Sequence, residues 1–221
     1  MSEPMADNTV TLAQMVRWPE LFQAEITEHR AWLTELDSAI GDADHGINMS
    51  RGMTAVGAKL ADGSPATFLD LFKTVGMTLV TSVGGASGPL YGTFFLRFGT
   101  TAGALAALQP AQLGAALRAG LGGVLARGKA ELGDKTMVDA MTPALDAFDQ
   151  SVADAVPVVA AAAAAAEAAA EGRDATVPLV ARKGRASYLG ERSAGHMDPG
   201  SASTALLFAT LARALAGPGG A

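Results

Sequence analysis

The chain has 221 residues, 49% of them hydrophobic, with 16 basic and 22 acidic residues giving a formal net charge of −6. That length suits one domain with a sizeable core, and the absence of cysteine excludes a disulfide framework, a thiolate nucleophile and Cys-ligated zinc. The acidic balance argues against a general nucleic-acid binder, which needs a basic face against phosphates, and 5% aromatic residues leaves little for stacking bases.

The first residues, Met1 to Asp7, show no basic start followed by an apolar run, so no signal peptide is expected. Ala, Leu, Glu, Gln and Met dominate the long segments and favour helix, while alternating β-branched and aromatic runs are nearly absent. The spacing predicts a short helix over 11–17 and a second over 19–37 with Pro19 in its first turn. Further helices are expected over 47–60, over 67–81 with Phe68, Leu71, Phe72, Val75 and Leu79 on one face, and from Pro89 to 105. Next come 110–127, 136–152, an Ala-rich helix over 158–171, a shorter segment over 176–181 and a last helix over 203–215. The Ala-rich stretch is too short and too weakly apolar to span a bilayer and reads as a packed helix. No Pro/Ser-rich linker divides the chain. A single cytoplasmic all-α domain follows as the expectation, with frayed ends at about 1–8 and 217–221.

Most catalytic signatures fail. Gly123 to Lys129 resembles a P-loop but ends in Ala130, where a Mg²⁺-binding hydroxyl should stand, and no strand precedes it. Ser87 misses the nucleophile-elbow spacing by one residue. The three histidines, His29, His45 and His196, have no zinc-binding spacing.

The segment Leu36 to Asn48 stands apart. Asp37, Asp42 and Asp44 fall within eight residues with no Lys or Arg among them. Such carboxylates repel unless a cation joins them. Oxygen donors alone suit Mg²⁺ or Ca²⁺, and Mg²⁺ commonly shares its shell with substrate phosphates. A helix is expected to begin near Gly46, and its free amides favour an anion. The same residues also read as a solvated acidic turn with Asp44 as an N-cap. Other corners fit the same picture, although each by itself reads first as a turn, cap or solvated loop: Gly84 to Pro89, Gly133 to Thr136, the basic run Arg182 to Arg185, which could meet phosphates or an acidic partner surface, and Asp198 to Ser201.

Taken together, these corners resemble the DhaL family, the nucleotide-binding subunit of bacterial dihydroxyacetone kinase. The carrying motifs are Gly41-Asp-Ala-Asp-His-Gly46, Ser82-Val-Gly-Gly-Ala-Ser-Gly-Pro89, Arg127-Gly-Lys129, Gly133-Asp-Lys-Thr-Met137, the run from Ala181 to Ser193, and Asp198-Pro-Gly200. The resemblance implies an antiparallel barrel of eight helices, with ADP or ATP bound at one rim through two Mg²⁺ ions. It implies Asp37, Asp42 and Asp44 as metal ligands. It places His45, Gly46, Ile47 and Asn48 against the nucleotide, Ala86 and Ser87 on phosphate, and Gly128 and Met137 beside adenine and ribose. Arg185, Asp198, Pro199 and Gly200 would close over the nucleotide, with Arg185 as counter-charge.

The resemblance also implies the chemistry. A DhaK-like partner holds dihydroxyacetone covalently on a histidine, and this subunit presents the γ-phosphate. In the phosphotransferase-linked form a phosphohistidine DhaM-like partner recharges resident ADP, with phosphoenolpyruvate as the distant donor. No catalytic side chain is then needed here beyond metal and phosphate ligands. Two alternatives stand beside this reading. One is an ATP-dependent kinase subunit that exchanges nucleotide and serves a related ketose or polyol. The other is a regulatory module whose nucleotide state is read by a transcription regulator. Neither a nucleic acid nor a membrane is an expected partner, and a homodimer is left open.

Overall fold

Long Ala- and Leu-rich segments meet at glycine, proline and capping residues, and the computed structural model, which describes residues 8–217, turns each into a helix. The order is α1 (Leu12–Glu28), α2 (Arg30–Ile40), α3 (His45–Ala61), α4 (Phe68–Ser82), α5 (Ser87–Ala102), α6 (Pro110–Gly128), α7 (Met137–Ala153), α8 (Val158–Ala175) and α9 (Pro199–Ala216). A 3₁₀ segment, Arg185–Ser193, lies between α8 and α9. Two short strands, β1 (Val10–Thr11) and β2 (Ala107–Leu108), pair antiparallel, although the sequence suggested no strand. This pair is a two-residue clasp beneath α1 and α6 and is too short to leave an alternating pattern.

From α3 to α9 each helix packs on the next, and α9 returns to α1, which packs on α3. Only His29 separates α1 from α2, so the two occupy one position of the ring. The nine α-helices among the described residues therefore make an eight-membered, up-and-down closed ring, as the resemblance implied. Tight crossings make closure possible. At the α4–α5 crossing, a Cβ on Gly76 would lie 2.7 Å from the Gly92 carbonyl oxygen.

The interior is aromatic. Trp18 meets the rings of Phe72, Phe94, Phe95 and Phe98 edge-on, with centroids 5.4–6.4 Å apart. Each such pair adds about 0.5–1.5 kcal/mol beyond the burial of area. The Trp18 indole N–H donates to the Leu207 carbonyl at 2.9 Å, which satisfies its one polar atom. In the Ala-rich α8, Ala161, Ala162, Ala165 and Ala169 are buried against α7 and α9, so this segment is a packed helix as expected.

Several boundaries differ from the sequence reading. Pro19 lies buried inside α1 rather than opening a new helix, and the break falls at His29. The missing Pro19 N–H removes one helical bond, but packing of that face on the core holds the helix together. No helix covers 176–181, because Pro178 cannot donate and biases Val177 away from helix. Asp198 to Ser201 is not a turn. Asp198 is the N-cap of α9, its carboxylate accepting from Ser201 N–H at 2.6 Å, with Pro199 in the first turn. The fifth helix begins at Ser87, two residues before Pro89, and ends at Gly103 with φ 64°. Asn8 and Gly217, assigned above to frayed ends, are both placed. The Asn8 side chain accepts from Val158 N–H at 2.7 Å, and Gly217 follows α9 with φ 80°. The rest of those ends, 1–7 and 218–221, falls outside the described residues.

Candidate nucleotide and metal site

Up-and-down alternation has a direct consequence. The N-termini of α3, α5, α7 and α9 all lie at one rim, and residues from each line a single cleft of about 450 Å³. Each terminus brings unpaired amides and a partial positive charge, so the rim is an anion site made of backbone. The C-terminal turn of α2 enters the same cleft and carries Asp37.

Asp37 builds the metal corner. It is buried, and its Oδ2 accepts from Asp44 N–H at 2.8 Å and His45 N–H at 3.0 Å. The start of α3 is therefore capped by Asp37 from seven residues upstream, while the Asp44 carboxylate makes no cap. The N-cap alternative for Asp44 is thereby corrected: Asp44 holds the N-cap position, but its carboxylate bonds none of the α3 amides and is left free. Ala43 has φ 60°, a left-handed conformation costing about 1 kcal/mol in a residue with a Cβ. This kink lies between Asp42 and Asp44, and one oxygen from each of Asp37, Asp42 and Asp44 lies within 4.8 Å of the others. Gly41 must be glycine here, since a Cβ would sit 2.0 Å from Asp37 Oδ1. An all-oxygen donor set of this charge fits a hard divalent cation. Arg185 approaches from across the cleft and its Nε donates to Asp42 Oδ2 at 3.0 Å.

Around this corner the polar groups are prearranged. Asn48 lines the cleft, and its Oδ1 accepts from Arg51 at 2.8 Å, which leaves the amide N–H₂ as its free donor. His45 is buried, with Nδ1 3.1 Å from Ser87 Oγ and Nε2 2.9 Å from Ser203 Oγ. Ser203 Oγ is in turn 2.7 Å from the Tyr91 hydroxyl. Burial pushes the His45 pKa down to about 4 against the opposing pull of Asp37 and Asp44, so the ring is neutral at neutral pH. It holds Ser87 as a hydrogen-bond partner rather than as a charge. Burial likewise pushes the Asp198 carboxyl up to about 7, with its bond from Ser201 N–H pulling the other way.

Asp37, Asp42, Asp44, His45, Asn48, Ala86, Ser87, Gly128, Met137, Arg185, Asp198, Pro199 and Gly200 all line this one cleft. Gly46 and Ile47 do not. Gly46 is pressed against α2 beside Arg30 O, and the Ile47 side chain is 50% exposed. They belong to the first turn of α3 without forming the wall. The structure adds an apolar flank that sequence reasoning missed, made by Ile40, Leu90, Val124, Val138 and Ala186. Val124 and Gly128 lie one turn apart on α6, a spacing that could have signalled it. Lys135 was also missed. It sat within a recognised motif, but nothing local announces that its side chain is buried.

The DAK2 domain family matches residues 39–213. The chain belongs to that family. It is 45% identical over 194 residues to the PEP-dependent dihydroxyacetone kinase 1, ADP-binding subunit DhaL, of Listeria innocua, covering 87% of this chain and 91% of the relative. It is 43% identical to the corresponding ADP-binding subunit of Escherichia coli K12, covering 93% and 98%. Among solved structures it resembles the dihydroxyacetone kinase of C. freundii in complex with AMP-PNP and Mg²⁺. The TM-score is 0.68 at 27% identity, covering 96% of this chain and 36% of that one. The family thus also occurs as about a third of a longer kinase chain. Among the described residues no helix is long and apolar enough to cross a membrane.

Proposed function

We propose that this chain is the nucleotide-holding subunit of a dihydroxyacetone kinase, acting in the cytoplasm as a single domain. The observation that carries the reading is the convergence of four helix N-termini and an all-oxygen carboxylate triad on one cleft. Near full-length similarity to subunits named as ADP-binding supports it.

Asp37, Asp42 and Asp44 would hold two Mg²⁺ ions. When bound, Mg²⁺ supplies charge neutralisation across the phosphoryl oxygens for an in-line transfer. The chain's own groups position the nucleotide. In the first turn of α3 the His45 and Asn48 amides are already bonded to Asp37 and Asp44, so the Gly46 and Ile47 amides and the Asn48 N–H₂ would donate to phosphate oxygens, as would the amides of Ala86 and Ser87. Leu90, Val124, Gly128 and Met137 present a flat apolar surface to the base. Arg185 meets phosphate charge from above, and Asp198, Pro199 and Gly200 close the far side at the start of α9. Transfer between partners held on either side of the phosphate needs no general base from this chain. The phosphoryl group goes to resident ADP from a phosphohistidine on a DhaM-like partner, then from the γ-position to dihydroxyacetone held on a DhaK-like partner. The products are dihydroxyacetone phosphate and ADP, so the nucleotide is regenerated in place.

Exposed Arg127, Lys129, Arg182 and Arg192 belong to the C-terminal end of α6 and to the segment between α8 and α9, the two stretches that also send Gly128 and Arg185 into the cleft. They would favour docking of an acidic partner face in an otherwise acidic protein. The test is phosphoryl transfer to dihydroxyacetone with purified partner subunits. Product is expected with a phosphoenolpyruvate-fed phosphohistidine donor and no free ATP. Product with ATP alone, and none with the phosphohistidine donor, would select the exchanging kinase instead.

A further inference from the structure

Residues 177–195 form a strap over the cleft, and its two ends are tied together where Gly195 N–H donates to the Val177 carbonyl at 2.8 Å. The strap supplies Lys183, Gly184, Arg185 and Ala186 to the cleft wall. We propose that Lys135 is a positioning residue whose buried ammonium locks the neck of this strap and thereby sets Arg185 over the phosphate side of the cleft.

Lys135 stands at the start of α7, and only 1% of its surface is exposed. Its Nζ donates to three carbonyls, Ser193 O at 2.7 Å, Leu179 O at 3.0 Å and Val177 O at 3.3 Å. These acceptors lie on both arms of the neck. All three ammonium protons are engaged, so Lys135 is not itself a phosphate ligand although it borders the cleft. A primary ammonium suits three converging carbonyls, whereas the planar fork of arginine does not. Its backbone is left-handed, φ 63°, an uncommon conformation for a residue with a side chain. It directs the side chain inward between Asp134, whose carbonyl accepts from Arg182 N–H at 3.1 Å, and Thr136, the N-cap of α7. Ser193 stiffens the same neck. Its hydroxyl accepts from Ala181 N–H at 2.8 Å and donates to Gly190 O at 2.6 Å. The helix that Lys135 opens is one of the four that form the anion rim, so the lock ties the strap to the rim rather than to a distant part of the fold.

The lock stands on geometry alone, while its effect through Arg185 rests on the nucleotide reading above. The test uses Lys135→Met, with Lys135→Arg as a charge-keeping variant should the first not fold, and Arg185→Ala for comparison. Hydrogen exchange without nucleotide should speed up by about 10-fold or more at the amides of Ala181 and Gly195 in Lys135→Met, with α4 and α5 unchanged. In Mg²⁺, Lys135→Met should lower the preference for ADP over AMP as Arg185→Ala does, and the double variant should be no worse than Arg185→Ala alone. Unchanged strap exchange would overturn the lock. Faster exchange with an intact ADP preference, where Arg185→Ala loses it, would overturn the positioning role. If Arg185→Ala itself leaves the preference intact, the nucleotide assignment of Arg185 fails, and with it the positioning role. The exchange result then decides the lock on its own.

Discussion

Asp42→Asn is expected to weaken Mg²⁺-dependent ADP binding by about 100-fold or more, since even a group behind the metal ligands is commonly worth 10–100-fold. The fold should hardly notice. Asp42 is partly exposed, makes no backbone bond, and its pair with Arg185 is a surface pair worth under about 1 kcal/mol. The apo melting temperature should therefore stay within about 3 °C of the parent. Asp37→Ala offers the contrast. It removes the acceptor for the Asp44 and His45 amides and should cost about 1–2 kcal/mol of stability in addition to the metal. Titration calorimetry with ADP, in Mg²⁺ and then in EDTA, separates the two contributions. In EDTA, Asp42→Asn and the parent should bind ADP equally weakly. Parent-like affinity of Asp42→Asn in Mg²⁺ would remove Asp42 from the ligand set.

Gly46→Ala should injure both fold and site through a single methyl group. A Cβ at this position would lie 2.1 Å from the Arg30 carbonyl oxygen and 2.9 Å from the Thr34 amide nitrogen. Both are backbone atoms of α2 and cannot rotate away. The N-terminus of α3 would have to lift off α2, drawing the Asp44 and His45 amides from Asp37. We expect a loss of about 2–3 kcal/mol, a fall in melting temperature of about 5–10 °C, and loss of tight ADP binding. Gly63→Ala is the control. That glycine is exposed, with nothing within 4 Å of an added Cβ, and melting curves should be unchanged. A normal melting curve for Gly46→Ala would mean that the corner tolerates movement that the account treats as damaging.

Much of this architecture was readable in the chain because helices announce themselves locally. The apolar spacing of Phe68 to Leu79 marked α4 to within one residue at each end. The four site corners were readable too, because glycine and acidic residues interrupt helices at the rim. What escaped depends on partners far along the chain. Pro19 looks like a helix start until α1 is seen packed on the core. Asp198 looks like a turn residue until Ser201 N–H is found on its carboxylate. The Asp44 carboxylate looks like a cap until it is seen to bond no amide of α3, while Asp37 holds the Asp44 and His45 amides. Lys135 is the clearest case: its three carbonyl partners lie 42, 44 and 58 residues away. Its sequence neighbours suggest only an exposed basic residue.

The central claim is that the rim is built to hold a magnesium-bound nucleotide as a resident group. The most direct measurement is to purify the protein without added nucleotide and desalt it in Mg²⁺. It is then denatured and the supernatant chromatographed. Close to one equivalent of ADP in the supernatant is the predicted result. An empty protein that takes up nucleotide only when it is added with Mg²⁺ would contradict residence, and one that takes up neither ADP nor ATP would contradict the site itself.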